Sequence, residues 1–179
     1  MAKKVLILSA SPRKGGNSDT LCDAFLQGAE EKGNQVEKIF LRDHRIGYCT
    51  GCGACSERGL ACPQRDDMAE ILDKMIAADV IVMATPVYFY TMDAQMKTLI
   101  DRTCARYTEI RGKDFYFLIA AAESDIPSME RTIEGFRGFT MCLEDVREKG
   151  IVYGVGAWKI GEIQRTTAVK EAYEMGCSV

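Results

Sequence analysis

The chain has 179 residues, of which 27% are charged and 47% hydrophobic, and its formal net charge is -3. This length and composition predict one globular domain with a sizeable core, and they exclude a disordered or low-complexity chain. The slight acidic excess argues against a nucleic-acid-binding protein, and no apolar run approaches the ~20 residues of a membrane span.

The first residues are basic and then apolar, but the apolar stretch covers only residues 5–8 before Pro12, Arg13 and Lys14 follow. A signal peptide needs a longer apolar region, so a buried β-strand is the better interpretation. We therefore expect a cytoplasmic protein with reduced thiols. Its eight cysteines then predict something other than a disulfide framework.

Apolar patterning predicts strands that alternate with helices along the whole chain. The expected strands are 5–8, 36–41, 79–85, 115–122 and 151–155, and the expected helices are 17–32, 67–78, 92–104, 129–146 and 167–175. Asn17 or Ser18 is predicted to cap the first helix, and Gly33 to end it. Such alternation predicts an α/β, flavodoxin-like, doubly wound parallel sheet of five strands in the order 2-1-3-4-5, with helices on both faces. We expect a single domain over residues 1–179, with a Cys-rich loop at 42–66.

The segment between the first strand and the first helix predicts a phosphate site. Backbone N–H groups at a helix start, with the helix dipole behind them, bind anions. The segment matches neither a Walker A loop nor G-x-G-x-x-G, and the alternative is an ordinary polar turn with a helix cap. It supplies hydroxyls, an amide, two cations and small glycines, at Ser9, Ser11, Arg13, Lys14, Gly15, Gly16, Asn17 and Ser18.

A second candidate site follows the third predicted strand, where residues 85–90 read Thr-Pro-Val-Tyr-Phe-Tyr. In this sheet order the ligand crevice lies between the carboxyl ends of strands one and three. An isoalloxazine ring needs a flat apolar wall and nearby backbone donors, which such a loop offers. Taken alone, the aromatic residues are more typical of a capped core than of a flavin site. Paired with the phosphate loop, they favour a flavin.

Four motifs together resemble the NADPH-dependent FMN reductase-like flavoproteins, in particular their iron–sulfur flavoprotein branch. They are Ser-Pro-Arg-Lys-Gly-Gly-Asn-Ser at 11–18, Asp-Asp-Met at 66–68, Thr-Pro-Val-Tyr-Phe-Tyr at 85–90 and Met-Lys-x-x-x-Asp-Arg at 96–102. The resemblance implies that the FMN phosphate is held by Ser9, Ser11, Arg13, Lys14, Gly16, Asn17 and Ser18. It also implies that the flavin ring contacts Pro86, Val87, Tyr88 and Phe89. Many relatives have a Gly-rich third loop, from which Ala-Ala-Ala-Glu-Ser-Asp at 120–125 departs.

The Cys-rich loop contains Cys49-x2-Cys52-x2-Cys55-x6-Cys62-Pro63. Three evenly spaced thiolates and a fourth followed by proline are typical of a [4Fe–4S] cluster. Zinc is the nearest alternative, although structural zinc sites usually use two separated C-x2-C pairs. Free thiols or a redox-labile disulfide are a third interpretation. The remaining cysteines, Cys22, Cys104, Cys142 and Cys177, are expected to be small core or surface residues.

The resemblance implies an oxidoreductase that relays electrons between a [4Fe–4S] cluster, FMN and an acceptor, with ferredoxin or another redox protein as its donor. The alternative is an NAD(P)H-dependent FMN or quinone reductase without a cluster. A hypothesis of another class is a cysteine-based redox or zinc sensor on the same scaffold. Electron relay needs no acid–base group, so no catalytic residue is predicted. Family members generally form oligomers, which implies a homodimer or homotetramer.

Overall fold

The computed structural model describes residues 2–179 and contains one sheet between two layers of helices. The strands are β1 (Lys4–Ser9), β2 (Gln35–Phe40), β3 (Val80–Tyr88), β4 (Thr91–Met92), β5 (Asp114–Ala120) and β6 (Arg147–Gly154). The helices are α1 (Asn17–Glu31), α2 (Met68–Ala77), α3 (Ala94–Arg102), α4 (Glu130–Thr140) and α5 (Ala168–Cys177). Short 3-10 turns cover Leu41–Asp43, Thr103–Ala105, Tyr107–Glu109, Pro127–Met129 and Glu162–Arg165.

Five of the strands are parallel and lie in the order β2-β1-β3-β5-β6. This confirms the predicted flavodoxin-like order, in which the chain reverses its direction of winding beside β1. The additional strand β4 was not predicted, because it has only two residues, which pair antiparallel with the end of β3. The switch point between β1 and β3 is where ligands bind in sheets of this kind.

The central strands are apolar on both faces because helices cover both sides of the sheet. Alternate residues of β1 enter opposite layers: Leu6 and Leu8 pack toward α2, α3 and α4, whereas Val5 and Ile7 pack toward α1 and α5. Every residue of β5 is buried. The sheet is therefore a rigid platform whose carboxyl edge can hold a site.

α1 and α5 cross at two glycines. A Cβ atom on Gly28 would lie 2.2 Å from the Tyr173 carbonyl oxygen, and one on Gly176 would lie 2.2 Å from the Phe25 carbonyl oxygen. No real Cβ approaches a backbone oxygen so closely. The two helix backbones therefore touch, and only glycine fits at this crossing.

Several boundaries differ from the prediction. The fourth helix ends at Thr140 rather than 146, because the chain then turns through Asp145 at φ 51 and enters β6 at Arg147. Gly16, rather than Asn17 or Ser18, is the N-cap of α1, and no side chain within residues 2–179 caps that helix start. Across residues 2–179, no helix is long and apolar enough to span a membrane.

Candidate functional site

A cleft of about 480 Å³ opens at the carboxyl edge of the sheet. It joins the loop after β1 to the end of β3, so it brings both predicted flavin segments to one place. Of the predicted residues, the cleft is lined by Arg13, Pro86, Val87, Tyr88 and Phe89. Its other walls are residues that were not predicted as flavin contacts: Tyr90, Ala120, Ala122, Glu123, Ala157 and Trp158.

The remaining predicted phosphate residues surround the start of α1 without lining the cleft. Gly16 is crowded, since a Cβ there would lie 2.5 Å from the Ser11 hydroxyl oxygen. The Ser18 hydroxyl is buried and has no hydrogen-bond partner within residues 2–179. Lys14, in contrast, is exposed. The helix start is thus a tight, polar corner next to Arg13.

A buried carboxylate holds the phosphate loop in shape. Asp19 accepts hydrogen bonds from the Ser9 hydroxyl at 3.3 Å and from the Gly15 N–H at 2.8 Å. Its charge is balanced by the Lys38 ammonium, whose Nζ lies 2.5 Å from Asp19 Oδ1. Because the Asp19 side chain is only 2% exposed, this pair is shielded from solvent. The loop is therefore preorganised by β2 and α1 together.

Asn17 fixes a third segment of the cleft rather than capping its own helix. Its amide nitrogen donates to the carbonyl oxygens of Ala157 at 2.9 Å and Lys159 at 3.0 Å. Trp158 lies between these two carbonyls and is 72% exposed. No local sequence signal marks Trp158 as a cleft residue, because its position follows from this long-range contact.

The aromatic end of β3 is a tight hairpin and not the loop that was predicted. Tyr88 pairs with Thr91, which leaves Phe89 and Tyr90 as the two turn residues, at φ 50 and φ 65. Left-handed backbone costs roughly 1–2 kcal/mol for a residue with a side chain, and such hairpin turns favour Asn-Gly. Phe89 is also fully exposed. Two strained aromatic residues at a cleft edge indicate a functional constraint rather than core packing.

Asp93 anchors the base of this hairpin. Its Oδ1 accepts the Met96 N–H at 3.0 Å and so caps α3, while its own N–H donates to the Thr85 hydroxyl oxygen at 3.1 Å. The other carboxyl oxygen is buried and has no partner within the described residues. Burial raises the pKa of Asp93 to about 7. The hairpin therefore rests on a carboxyl group whose charge costs stability.

The four predicted cluster cysteines, Cys49, Cys52, Cys55 and Cys62, line a second cavity of about 180 Å³. Within residues 2–179, no three His, Cys, Asp or Glu side chains converge closely enough to hold a metal ion. Four thiols are the donor set that iron–sulfur clusters and zinc use. Gly51, Gly53 and Gly59 lie in the left-handed region and give the loop backbone freedom. The four thiols are the donor type that a cluster needs, and in this loop conformation they line one cavity without converging among the described residues.

Residues 3–132 match the family described as NADPH-dependent FMN reductase, a match that includes both segments of the cleft and the whole Cys-rich loop. The chain belongs to this family. It is similar to an iron–sulfur flavoprotein of Archaeoglobus fulgidus, with 44% identity over 99 residues that cover 55% of this chain and 44% of the relative. An iron–sulfur flavoprotein of Methanosarcina thermophila is 41% identical over 112 residues, covering 63% of this chain and 56% of the relative.

This FMN reductase family member spans about half the length of the curated relatives that it matches. Among solved structures, it resembles an FMN-dependent NADH-azoreductase from Bacillus anthracis in complex with FMN. The TM-score is 0.76 at 20% identity, over 98% of both chains. At that identity the likeness shows the shared fold alone.

Arg102, at the end of α3, ties the Cys-rich loop of this family member to the sheet. Its guanidinium donates to the Gly47 carbonyl oxygen at 2.6 Å and to both Asp66 carboxylate oxygens, at 2.6 and 3.0 Å. It also reaches Cys62 Sγ at 3.7 Å. The bonded guanidinium lowers the pKa of Asp66 to about 2. One buried cation therefore holds both ends of the loop.

Cys104 also lines the cysteine cavity, although the sequence pattern predicts an ordinary core or surface cysteine. Burial, together with the neighbouring Cys55 and Cys49, raises the pKa of Cys104. This placement depends on how α3 packs, so spacing along the chain could not reveal it.

Proposed function

We propose that the chain binds one FMN in the cleft and acts as an FMN-dependent oxidoreductase. The observation that carries the proposal is the joining of Arg13 and residues 86–90 in one cleft at the switch point of the sheet. A cation beside a helix start suits a phosphate, and the apolar aromatic wall suits the flavin ring.

Three features at the start of α1 support a phosphate there. Among the described residues, no side chain caps the helix start, so its first N–H groups are available to an anion. The buried Ser18 hydroxyl has no hydrogen-bond partner in the part of the chain that the structure describes, and a phosphate would supply one. Gly16 has no Cβ, which lets the Ser11 hydroxyl and the Arg13 backbone pack closely against the helix start. We assign Ser9 and Asn17 to positioning, because both are already bonded within the protein.

We further propose that Cys49, Cys52, Cys55 and Cys62 hold a [4Fe–4S] cluster, so that the protein relays electrons between the cluster, FMN and an acceptor. Flavins exchange one or two electrons and clusters exchange one, which suits such a relay. The support is the shared cavity, the thiol spacing and the names of the iron–sulfur flavoprotein relatives. Ferredoxin or another redox protein is the proposed donor.

The charge of the Cys-rich loop supports a protein donor of acidic character. Residues 42–65 contain four arginines, whereas their only acidic residues are Asp43 and Glu57. This local positive excess stands out in a chain of net charge -3. Complementary charge speeds the encounter of redox partners, and the effect weakens with salt.

A second candidate function is an NAD(P)H-dependent FMN or quinone reductase without a cluster. It is favoured by the lack of three converging ligand side chains among residues 2–179, and by the NADPH named in the family description. In this case NAD(P)H would be the reductant and the cleft alone would carry the activity.

The FMN site is tested by titrating FMN into the flavin-free protein and into two variants of neighbouring cations. Arg13 lines the cleft and Lys14 does not. Loss of a charged hydrogen bond costs about 1.5–3 kcal/mol, so Arg13→Ala should raise the FMN dissociation constant roughly tenfold or more. Lys14→Ala should leave it nearly unchanged. Equal affinities for wild type and Arg13→Ala would contradict the assigned site.

A further inference from the structure

We propose that Lys38 is a positioning residue of the phosphate site, because it neutralises the carboxylate that braces the phosphate loop. In this way it makes the cleft bind a phosphorylated flavin in preference to an unphosphorylated one. The inference rests on the FMN site proposed above and deepens it with a residue that no motif marks. Lys38 belongs to β2 and acts on the phosphate site through Asp19.

Lys38 occupies a strand position that alternation assigns to the core. Val36, two residues earlier on the same face of β2, packs against the layer of α1 and α5. The Lys38 side chain faces the same layer and is only 8% exposed. Its Nζ lies 2.5 Å from Asp19 Oδ1 and 2.5 Å from Asp23 Oδ1, and Asp23 is largely exposed. Lys38 therefore pairs with one buried and one solvated carboxylate of α1.

The stability of the fold does not account for the buried pair of Lys38 and Asp19. Two charges in the interior give up their hydration, and their replacement by apolar side chains of similar size is often neutral or stabilising. The pair is instead located where an anion is expected, because Asp19 lies in the first turn of α1. Its position indicates a role in ligand binding.

Asp19 braces the loop at a point where its charge opposes an anionic ligand. Its Oδ2 accepts the Gly15 N–H at 2.8 Å, and its Oδ1 accepts the Ser9 hydroxyl at 3.3 Å. The helix dipole at this end of α1 attracts anions, so an unbalanced carboxylate would compete with a phosphate and repel it. The Lys38 ammonium cancels that charge and leaves both hydrogen bonds in place.

The expected effect of Lys38 is specific to the phosphate. Charges that are shielded from solvent interact strongly, so loss of the ammonium should weaken the binding of an anion. The oxidised flavin ring is uncharged, and it is assigned to residues 86–89 at the end of β3. A variant that merely loosened the fold would weaken the binding of both flavins alike.

The test is titration of FMN, and of riboflavin, which lacks the phosphate, into the flavin-free protein and its variants. Measurements at about pH 8 keep the FMN phosphate doubly charged. Lys38→Met should raise the FMN dissociation constant roughly tenfold or more and leave that of riboflavin nearly unchanged. Lys74→Met is the matched control, because Lys74 also pairs with a β2 residue, Glu37, but lies outside this layer and is more exposed. It should change neither constant.

Asp19→Asn tests whether the charge of Asp19 is what Lys38 counteracts. Asparagine keeps an acceptor for the Gly15 N–H and removes the negative charge. In the Lys38→Met background it should restore most of the wild-type FMN affinity. Asp19→Asn alone should bind FMN more tightly than this double variant does, and that comparison holds even if an unpaired carboxylate prevents Lys38→Met from folding.

Equal FMN affinities for wild type and Lys38→Met would overturn the proposal. So would equal losses for FMN and riboflavin, or, between Asp19→Asn and the double variant, equal FMN affinities. Wild-type protein that binds neither flavin would overturn the proposed FMN site, and this inference with it. The two failures are therefore distinguished by the wild-type titration alone.

Discussion

Asn17 joins two parts of the cleft that lie far apart in the chain. It sits at the start of α1, yet its amide bonds the carbonyls on both sides of Trp158. Arg102 acts similarly in the cysteine cavity, where it bonds Gly47 and Asp66. In both places a single buried polar side chain substitutes for regular secondary structure and fixes a loop beside a candidate site.

Asp93 makes stability depend on pH. Its pKa is raised to about 7, so the folded state binds the proton more tightly than the unfolded state does. Stability contributed by this group is therefore fully present at low pH and falls as pH rises toward 7. Relative to Asp93→Asn, we expect the free energy of unfolding of the wild type to fall by about 2 kcal/mol between pH 5 and 8.

Urea denaturation of both proteins across this pH range measures the difference. Asp125→Asn is a matched control, because Asp125 also accepts the N–H three residues later, from Ser128 at 3.0 Å, but is exposed. It should show no comparable change. A difference between wild type and Asp93→Asn that stays constant with pH would contradict the raised pKa.

Local motifs predicted part of the site and missed residues whose neighbours are distant in sequence. Arg13 and residues 86–89 could be found because the chemistry lies in consecutive residues after a strand. Trp158 and Cys104 could not, since the first depends on Asn17 and the second on where α3 ends. Asn17 itself was predicted near the phosphate, but its bonding to residues 157 and 159 carries no local signal.

At the scale of the elements, α1 and α5 are in backbone contact where they cross. Gly176→Ala would place a Cβ 2.2 Å from the Phe25 carbonyl oxygen, which must force the helices apart. Overpacking of this kind costs about 1–3 kcal/mol, so the free energy of unfolding should decrease by that amount.

Gly138→Ala in α4 is the control for helix propensity, because a Cβ there would meet no atom of the described residues within 4 Å. It should raise the free energy of unfolding by about 0.5–1 kcal/mol. Thermal or urea unfolding of the two variants separates the effect of crowding between α1 and α5 from the effect of helix propensity. Stabilisation by both substitutions would show that the two helices are not in backbone contact.

Apolar runs predicted which segments are strands and which are helices, but they did not predict where β3 and α4 end. β3 continues through Tyr88, and the turn after it consists of Phe89 and Tyr90. Both turn residues have a left-handed backbone, which residues with large side chains disfavour. The pattern of α4 continues past Thr140, although the chain leaves the helix there. Periodicity alone predicts neither of these ends.

At the scale of the whole molecule, the order of the strands in the sheet determines where the cleft lies. Strands alternate with helices, and their crossover connections are expected to be right-handed. Because the direction of winding reverses beside β1, the loops after β1 and β3 lie next to each other. The exposed Phe89 and Trp158 leave apolar surface around that cleft. A homodimer or homotetramer remains a prediction of the family resemblance, and sedimentation of the FMN-bound protein would test it.

One chain is proposed to hold both an FMN and a [4Fe–4S] cluster. The most direct test is the amount of FMN, iron and acid-labile sulfide per chain after purification without oxygen. We predict one FMN with about four iron and four sulfide. Cys52→Ala should lose the iron and sulfide but keep FMN, and Cys142→Ala should lose neither. FMN without iron or sulfide would contradict the cluster and favour the NAD(P)H-dependent reductase, and absence of FMN would contradict the cleft assignment itself.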